Sequence, residues 1–393
     1  MRKHKIPAAV AALGLVGVLG AAEAAAAHPS RSEAGDIDTA LLEAKFADFA
    51  ALAGGSVLAE VRDGDDTWTG AAGLRSLDEG ADPAEPDDRV RIGSTTKSMT
   101  AAIVLQLAGE GELDLDDPIG GHLPGLLPYE EDPTIRQLLQ HTSGVPDLLP
   151  ALYPGLGHGD FTDLYAGYRT HYEPEELIAI GTEQPLQFKP GTDWAYSNTG
   201  YMVLGLLIEE RTGDSLRHAF EERIFEPAGL DDTYFPRDDT SGIRGPHAVP
   251  YVTTGDPDRP YFDTTKLSNT QLWAGGGVIS TVGDLNAFYD ALADGTLLAP
   301  ALFADATDFI GTGGSMDYGL GMFALKPGCA EDPGAVFFGH EGDGLGHQTQ
   351  SFHSLDGERR ITLAWSIDDK AGYGDEDAFD AALTDLMQAG LCG

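Results

Sequence analysis

The chain has 393 residues, with 64 Asp and Glu against 24 Lys and Arg, two cysteines and a formal net charge of −40. Such a chain will not bind a nucleic-acid backbone or an anionic lipid surface, because both need clustered Lys and Arg. A hydrophobic share of 42% excludes a disordered chain, and the length suits one large domain or two intimate ones.

Met1-Arg2-Lys3-His4-Lys5 is a basic start, Ile6 to Gly20 an apolar run, and Ala22 to Ala27 a small-residue stretch. Residues 1–27 read as a secretory signal peptide cut near Ala27. A membrane anchor is the alternative, but the run is short and rich in small residues. The expectation is a secreted, extracellular protein starting near His28. Loss of the leader removes three basic residues and one acid, so the remainder is still more acidic.

Residues 28–37 read as a flexible lead-in, and Leu41, Leu42, Phe46 and Phe49 as one face of a helix. Ser56 to Arg62 and Thr67 to Leu74 form a predicted hairpin around Asp63-Gly64-Asp65-Asp66. Ser76 to Asp88 is an acidic loop, and Thr95 to Gly109 a helix. Helical patterns follow at Thr134 to Gln140, Glu173 to Ile180 and Tyr201 to Thr212. Residues 236–265 are rich in Asp, Pro and Thr and read as loop. Thr281 to Asp294 returns to helix. Ala335 to Phe338, Gln348 to Ser354 and Arg360 to Ile367 read as strands, with Asp356-Gly357 as a turn. Asp375 to Ala389 is a terminal helix. Strands at both ends and helices between predict an α/β (α+β) fold. Its antiparallel sheet is built from both chain ends and flanked by helices. The expected sheet domain is 28–105 plus 246–393, and 106–245 the inserted all-helical subdomain.

Three motifs carry chemistry. In Ser94-Thr95-Thr96-Lys97, Ser and Lys fall on one helix face. The hydroxyl meets the positive helix end, and a desolvated Lys can act as base. A chain of this composition has roughly 0.3 such spacings by chance, so an N-cap Ser beside a solvated Lys is a live alternative. In Tyr196-Ser197-Asn198, a phenol near two cations could ionise as general base, and an amide can hold a carbonyl. The alternative is a packing Tyr and a turn Asn. His340-Glu341-Gly342-Asp343 lies on or beside a predicted strand, where Gly342 lets a substrate backbone approach. Its alternatives are a surface turn, or a metal site from His340, Glu341, Asp343, His347 and His353.

Together, in this order, the motifs resemble those of the penicillin-recognising serine hydrolases, most of all class C β-lactamases and soluble secreted D-alanyl-D-alanine carboxypeptidases. Arg91 to Lys97 matches the nucleophile motif, and Gly111 to Pro118 the stretch after it. His141-Thr142-Ser143-Gly144-Val145 matches a family loop, Pro190-Gly191 through Asn198 the tyrosine motif, and Trp273 to Thr281 a glycine turn. Tyr318-Gly319-Leu320-Gly321 and the His340 triplet complete it. The resemblance implies that Ser94 is acylated, that Lys97 and Tyr196 handle the proton, and that Asn198 orients the acyl-side amide. Trp273, His340, Glu341, Gly342 and Asp343 would line the substrate, and the backbone N–H groups of Ser94 and Asp343 would form the oxyanion hole. Water would release the acyl group. No cofactor or metal is implied. The partner would be a small molecule or peptide (a D-amino-acid peptide, amide, ester or β-lactam), with no nucleic acid, no membrane and a monomeric enzyme. A non-hydrolysing β-lactam or peptidoglycan sensor on the same fold is the non-enzymatic alternative.

Cys329 and Cys392 are expected to pair in an oxidising compartment, with two buried thiols as the alternative. Their placement also resembles that in the secreted carboxypeptidases. The chain departs from that pattern in one respect. The carboxypeptidases carry hydroxyl residues at the positions of Glu341 and Asp343, and an Arg where Phe323 stands here. Residues i and i+2 of a strand share a face. Two acids there would repel a substrate's terminal carboxylate. Neutral or cationic leaving groups are expected, unless both acids lie at an exposed strand end.

Overall fold

The computed structural model describes residues 37–156, 160–237, 240–368 and 375–393. The leader, its cleavage region and residues 28–36 lie outside the described residues.

Helix α1 (Thr39–Ala53) starts where Asp38 accepts the Leu41 N–H at 2.9 Å. The hairpin β1 (Val57–Asp63) and β2 (Asp66–Ala72) follows. Next come β3 (Val90–Arg91) and helix α2 (Thr96–Glu110). A predominantly helical stretch leads to α3 (Asn198–Thr212) and on to β4 (Tyr251–Thr253), β5 (Tyr261–Asp263) and β6 (Ile279–Ser280). After α4 (Val282–Ala293) come β7 (Asp317–Tyr318), β8 (Phe323–Leu325), β9 (Phe337–Asp343), β10 (Gln348–Ser354), β11 (Arg359–Trp365), β12 (Ile367–Asp368) and α5 (Glu376–Cys392).

Seven strands form one antiparallel sheet in the order β2-β1-β11-β10-β9-β8-β7. The N-terminal and C-terminal strands meet at the second and third places in that order, where Val57 of β1 pairs with Trp365 of β11. Period-2 alternation separates two cores. Val57, Ala59, Val61, Leu363 and Trp365 face α1 and α5, with Phe46, Phe49, Phe379 and Leu386. Leu58, Phe338 and Ala364 face α2. The helical residues Leu138, Leu204 and Ile208 share that second cluster, so the inserted stretch has its core in common with the sheet.

The loop expected over 236–265 contains β4 and β5, which pair with each other, β4 also pairing with β12. Three-residue strands in an Asp- and Pro-rich stretch carry no periodicity, and tertiary pairing makes them. β9 runs on to Asp343, beyond the Ala335 to Phe338 read from sequence. Gly339 and Gly342 break the apolar pattern there, yet both are places where neighbouring chains press close: a Cβ on Gly339 would lie 1.9 Å from the Ser351 carbonyl oxygen. Cys329 and Cys392 are bonded and close a loop of 63 residues, worth about 4 kcal/mol in the chain-entropy account. Among the described residues no helix is long and apolar enough to cross a membrane.

Candidate active site

Ser94 sits in a 3₁₀ turn (Gly93–Thr95) that feeds directly into α2. Gly93 has φ +52°, and a Cβ there would lie 2.4 Å from the carbonyl carbon and oxygen of Asp343. The nucleophile turn is therefore pressed backbone to backbone against the end of β9. Thr349 bridges the two, donating to the Ile92 carbonyl at 3.1 Å and meeting Thr95 Oγ1 at 3.0 Å. A Cβ on Gly93 would also lie 2.6 Å from the Asp343 nitrogen, so the Asp343 amide lies against the residue before Ser94.

Lys97 is fully buried one turn along α2. Its Nζ lies 3.1 Å from Ser94 Oγ, 2.7 Å from Asn198 Oδ1 and 2.7 Å from the Gly275 carbonyl. Burial lowers its pKa to about 7, against a small opposing pull from Asp147. A neutral amine keeps two hydrogens and one lone pair. Asn198 Oδ1 and Gly275 O can only accept, so they take both hydrogens and leave the lone pair facing Ser94.

Tyr196 shares a hydrogen bond with Ser94, and burial holds its phenol well above the ordinary value. The ionised phenol expected from sequence is therefore corrected: Tyr196 stays protonated near neutrality, because desolvation outweighs the Ser94 bond. Lys97 Nζ lies 4.8 Å from its ring centre. Asn198 opens α3 and bridges two charges. Its Oδ1 accepts from Lys97, and its Nδ2 and backbone N–H both donate to Asp147 Oδ1 at 3.0 Å. The amide carbonyl is thus taken, and one Nδ2 hydrogen remains for a substrate.

The third motif forms the opposite wall. His340 Nδ1 donates to the Glu341 carbonyl at 2.5 Å, and Nε2 accepts from the Tyr318 hydroxyl at 3.1 Å. Burial and Lys97 lower its pKa to about 3, so it is neutral at pH 7. Phe323 stacks against it with centroids 4.9 Å apart. Glu341 is half-buried, takes a hydrogen bond from Gln350 Nε2 at 3.0 Å, and its charge bears on Tyr196. Asp343 instead turns Oδ1 onto the Leu345 N–H at 2.8 Å.

Two expectations change. A Cβ on Gly342 would lie 2.0 Å from the Ile92 carbonyl oxygen and 2.2 Å from Thr349 Oγ1, so this glycine admits the nucleophile turn rather than a substrate backbone. Trp273 is only 4% exposed and packs on Gly205 of α3, which makes it core rather than a substrate contact. The metal grouping around His340 does not converge either. His347 is held between the Arg91 N–H and the Ala248 carbonyl, and His353 lies beside Ser351 Oγ. Among the described residues, the metal-ligand types that cluster are Asp214, His218 and Glu222, outside this site.

Gly275 and Tyr318 lie inside matching motifs, in which the sequence assigns them no role, and Asp147 lies outside them. Pro146-Asp147, directly after the His141 to Val145 loop, was the available signal for the last.

Residues 42–385 match the sequence profile of the Beta-lactamase family. The chain belongs to that family. A D-stereospecific amidohydrolase from Streptomyces sp. superposes with a TM-score of 0.77 at 30% identity, covering 91% of this chain and 99% of that one. A D-aminopeptidase from Brucella anthropi is 30% identical over 79% of this chain and 55% of its own length. Esterase EstB from Burkholderia gladioli is 34% identical over 50% of each. The chain spans about half the length of the curated relatives it matches. The beta-lactamase-family fold accounts for the mixed architecture: a large antiparallel sheet with helices on both faces.

Proposed function

We propose that the protein is a serine hydrolase that cleaves small amides and esters of D-amino acids through an acyl-enzyme on Ser94. The observation that carries this is the position of Lys97, fully buried with Nζ 3.1 Å from Ser94 Oγ and two carbonyl acceptors holding its hydrogens. With a pKa of about 7, roughly half of it is free amine at neutral pH. The amine takes the Ser94 proton as Oγ bonds to the substrate carbonyl carbon. The Ser94 and Asp343 N–H groups receive the developing oxyanion, a contribution of roughly 3–4 kcal/mol per donor. The Tyr196 hydroxyl passes a proton to the leaving nitrogen or oxygen as its bond to carbon breaks. Lys97 returns its proton to the Tyr196 phenolate and, neutral again, takes a proton from the water that attacks the acyl carbon. The carbon–Ser94 Oγ bond breaks, that proton passes back to Oγ, and the acid leaves.

The D-stereospecific amidohydrolase and D-aminopeptidase among the relatives support the substrate class. The site disfavours a leaving group with a free carboxylate. His340 is neutral, Phe323 supplies no charge, and Glu341 repels in its ionised form, which burial disfavours and the Gln350 hydrogen bond favours. We also propose export and a monomeric state. The basic-apolar start and the Cys329–Cys392 bond support the first, and light scattering checks the second.

The test is a panel of nitrocefin, acyl-D-Ala-D-Ala, a D-amino-acid amide and a short-chain ester, with mass spectrometry of the adduct. Turnover of the amide and ester, with acylation at Ser94, is expected. Residual activity in Ser94→Ala above background refutes the nucleophile, and an adduct that never turns over favours a sensor.

A further inference from the structure

We propose that Tyr201 is a positioning residue that acts through Lys97: its ring forms a second aromatic wall beside the amine, steadies the ammonium form, and so sets the pH range over which the base is ready. The inference rests on the acyl-enzyme reading above and concerns the control of its base.

Tyr201 stands three residues after Asn198 in α3, so the two side chains share a helix face. Both turn to Lys97. Asn198 Oδ1 lies 2.7 Å from Nζ, and Nζ stands over the Tyr201 ring, 5.4 Å from its centre. The Tyr196 ring is the other wall, at 4.8 Å. A cation within about 6 Å of an aromatic face is attracted by the ring quadrupole, and the attraction grows where water is excluded. Lys97 and Tyr201 are both fully buried.

The ammonium has no carboxylate bonded to it. Its polar contacts are Ser94 Oγ, Asn198 Oδ1 and the Gly275 carbonyl. Among the described groups that titrate around it, Asp147 is the carboxylate whose charge acts on it, from behind Asn198. His141 and His340 are kept neutral by burial, and the Tyr196, Tyr201 and Tyr318 phenols are kept protonated by it. Glu341 bears on Tyr196. The ring faces therefore stand in part for the carboxylate that a buried cation otherwise needs.

Tyr201 is fixed in this place. Its hydroxyl donates to the Leu139 carbonyl at 2.9 Å, and the His141 ring lies against it with centroids 5.3 Å apart. A Cβ on Gly321 would lie 3.2 Å from that hydroxyl and 2.3 Å from Ala101 Cβ, so the glycine leaves room for the tyrosine beside α2. Tyr201 has no exposed surface to offer a substrate, and its effect reaches Ser94 through Lys97.

A ring face and mere packing differ in sign. The face favours the charged amine, so weakening it lowers the pKa of Lys97. A side chain that only fills space excludes water, and loosening it relieves the desolvation and raises that pKa.

The experiment compares the wild type with Tyr201→Phe and with 3,4,5-trifluorophenylalanine in place of Tyr201. Phenylalanine keeps the ring face and loses the bond to Leu139. The trifluoro ring keeps the ring shape and draws charge away from the face. The readouts are the pH dependence of Ser94 acylation by p-nitrophenyl acetate and the titration of Lys97, followed by carbon-13 NMR of its ε-carbon and assigned with Lys97→Arg. Tyr201→Phe is expected to titrate close to the wild type. The trifluoro ring is expected to move the Lys97 titration and the acid limb of the acylation profile down by about half a pH unit or more relative to Tyr201→Phe. A titration that stays in place or moves up on fluorination overturns the proposal. Because the NMR titration needs no turnover, it separates the two readings. A Ser94 adduct together with an unmoved Lys97 overturns the role of Tyr201 alone. No Ser94 adduct with the ester or with a D-amino-acid amide overturns the acyl-enzyme, while the titration still decides whether the ring holds the ammonium.

Discussion

The His141 ring lies against the Tyr196 phenol, with centroids 4.2 Å apart and planes inclined by 34°. Its Nδ1 accepts the Ser197 N–H at 3.1 Å, so one side chain both backs the tyrosine and pins the segment that delivers it into α3. The backbone pays a conformational cost for this, since His141 has φ +62°. Burial and the nearby Lys97 keep the imidazole neutral, which leaves Nδ1 free to accept.

Replacing His141 separates these roles. His141→Ala removes the ring and its acceptor for the Ser197 N–H while keeping the left-handed backbone strain of roughly 1–2 kcal/mol that His141 already bears. We expect a lower melting temperature and a Ser94 acylation rate reduced by tenfold or more. Asn tolerates that conformation. His141→Asn is therefore expected to recover melting temperature but not rate. Thermal melts and stopped-flow acylation with a chromogenic ester measure the two, and a wild-type rate in His141→Asn contradicts a positioning role for the ring.

The pH dependence follows from Lys97. Its lowered pKa of about 7 means that the competent free amine grows as pH rises through 7. The kcat/KM for a neutral ester should therefore climb with an apparent pKa of about 7 and then level. Tyr196 is held well above 10 and His340 at about 3, so neither bends the profile near neutrality. A rate that falls through pH 7 is incompatible with a lysine base. Lys97→Arg keeps the charge but cannot shed it, and a loss on the order of 10³-fold is expected.

Glu341 tests the leaving-group preference. A like charge at about 4 Å costs roughly 1 kcal/mol in water and about 4 kcal/mol near a protein surface. Wild type should hydrolyse the C-terminal amide of acyl-D-Ala-D-Ala faster than the free acid. Glu341→Gln removes the charge and is expected to raise the acid-to-amide ratio of kcat/KM by about tenfold. Faster hydrolysis of the free acid by the wild type sinks the preference.

What could be read from sequence was what is local. The hairpin around Asp63-Gly64-Asp65-Asp66, the helix after Ser94 and the terminal helix all follow from turn residues and periodicity. The three motifs fixed Ser94, Lys97, Tyr196 and Asn198 as a group, and the structure brings all four together. Hidden were features made by tertiary approach. Asp147 contacts Asn198 across 51 positions, and Gly275 meets Lys97 across 178. Neither residue type announces a partner so far away. The protonation of Tyr196 was misread for a related reason, because spacing shows neighbouring charges but not burial. Trp273 and Gly342 sat inside the matching motifs yet serve packing, since a motif marks a shared geometry without saying which side chains touch the ligand.

Gly342 makes that distinction testable. If it admits a substrate backbone, a methyl group there should raise KM and leave stability alone. The structure requires otherwise. A Cβ at 342 meets the Ile92 carbonyl oxygen at 2.0 Å and Thr349 Oγ1 at 2.2 Å, and the first of these is backbone that cannot rotate away. Gly342→Ala must push β9 off the Ser94 turn, separating the Ser94 and Asp343 amides. Overpacking of this kind costs roughly 1–3 kcal/mol. The expected outcome is a lower melting temperature together with a fall in kcat of about 100-fold or more, the size of a lost oxyanion donor. Gly121→Ala, where a Cβ meets nothing within 4 Å, is the control for glycine replacement as such. A Gly342→Ala enzyme with unchanged melting temperature and kcat but raised KM would return this glycine to the substrate side.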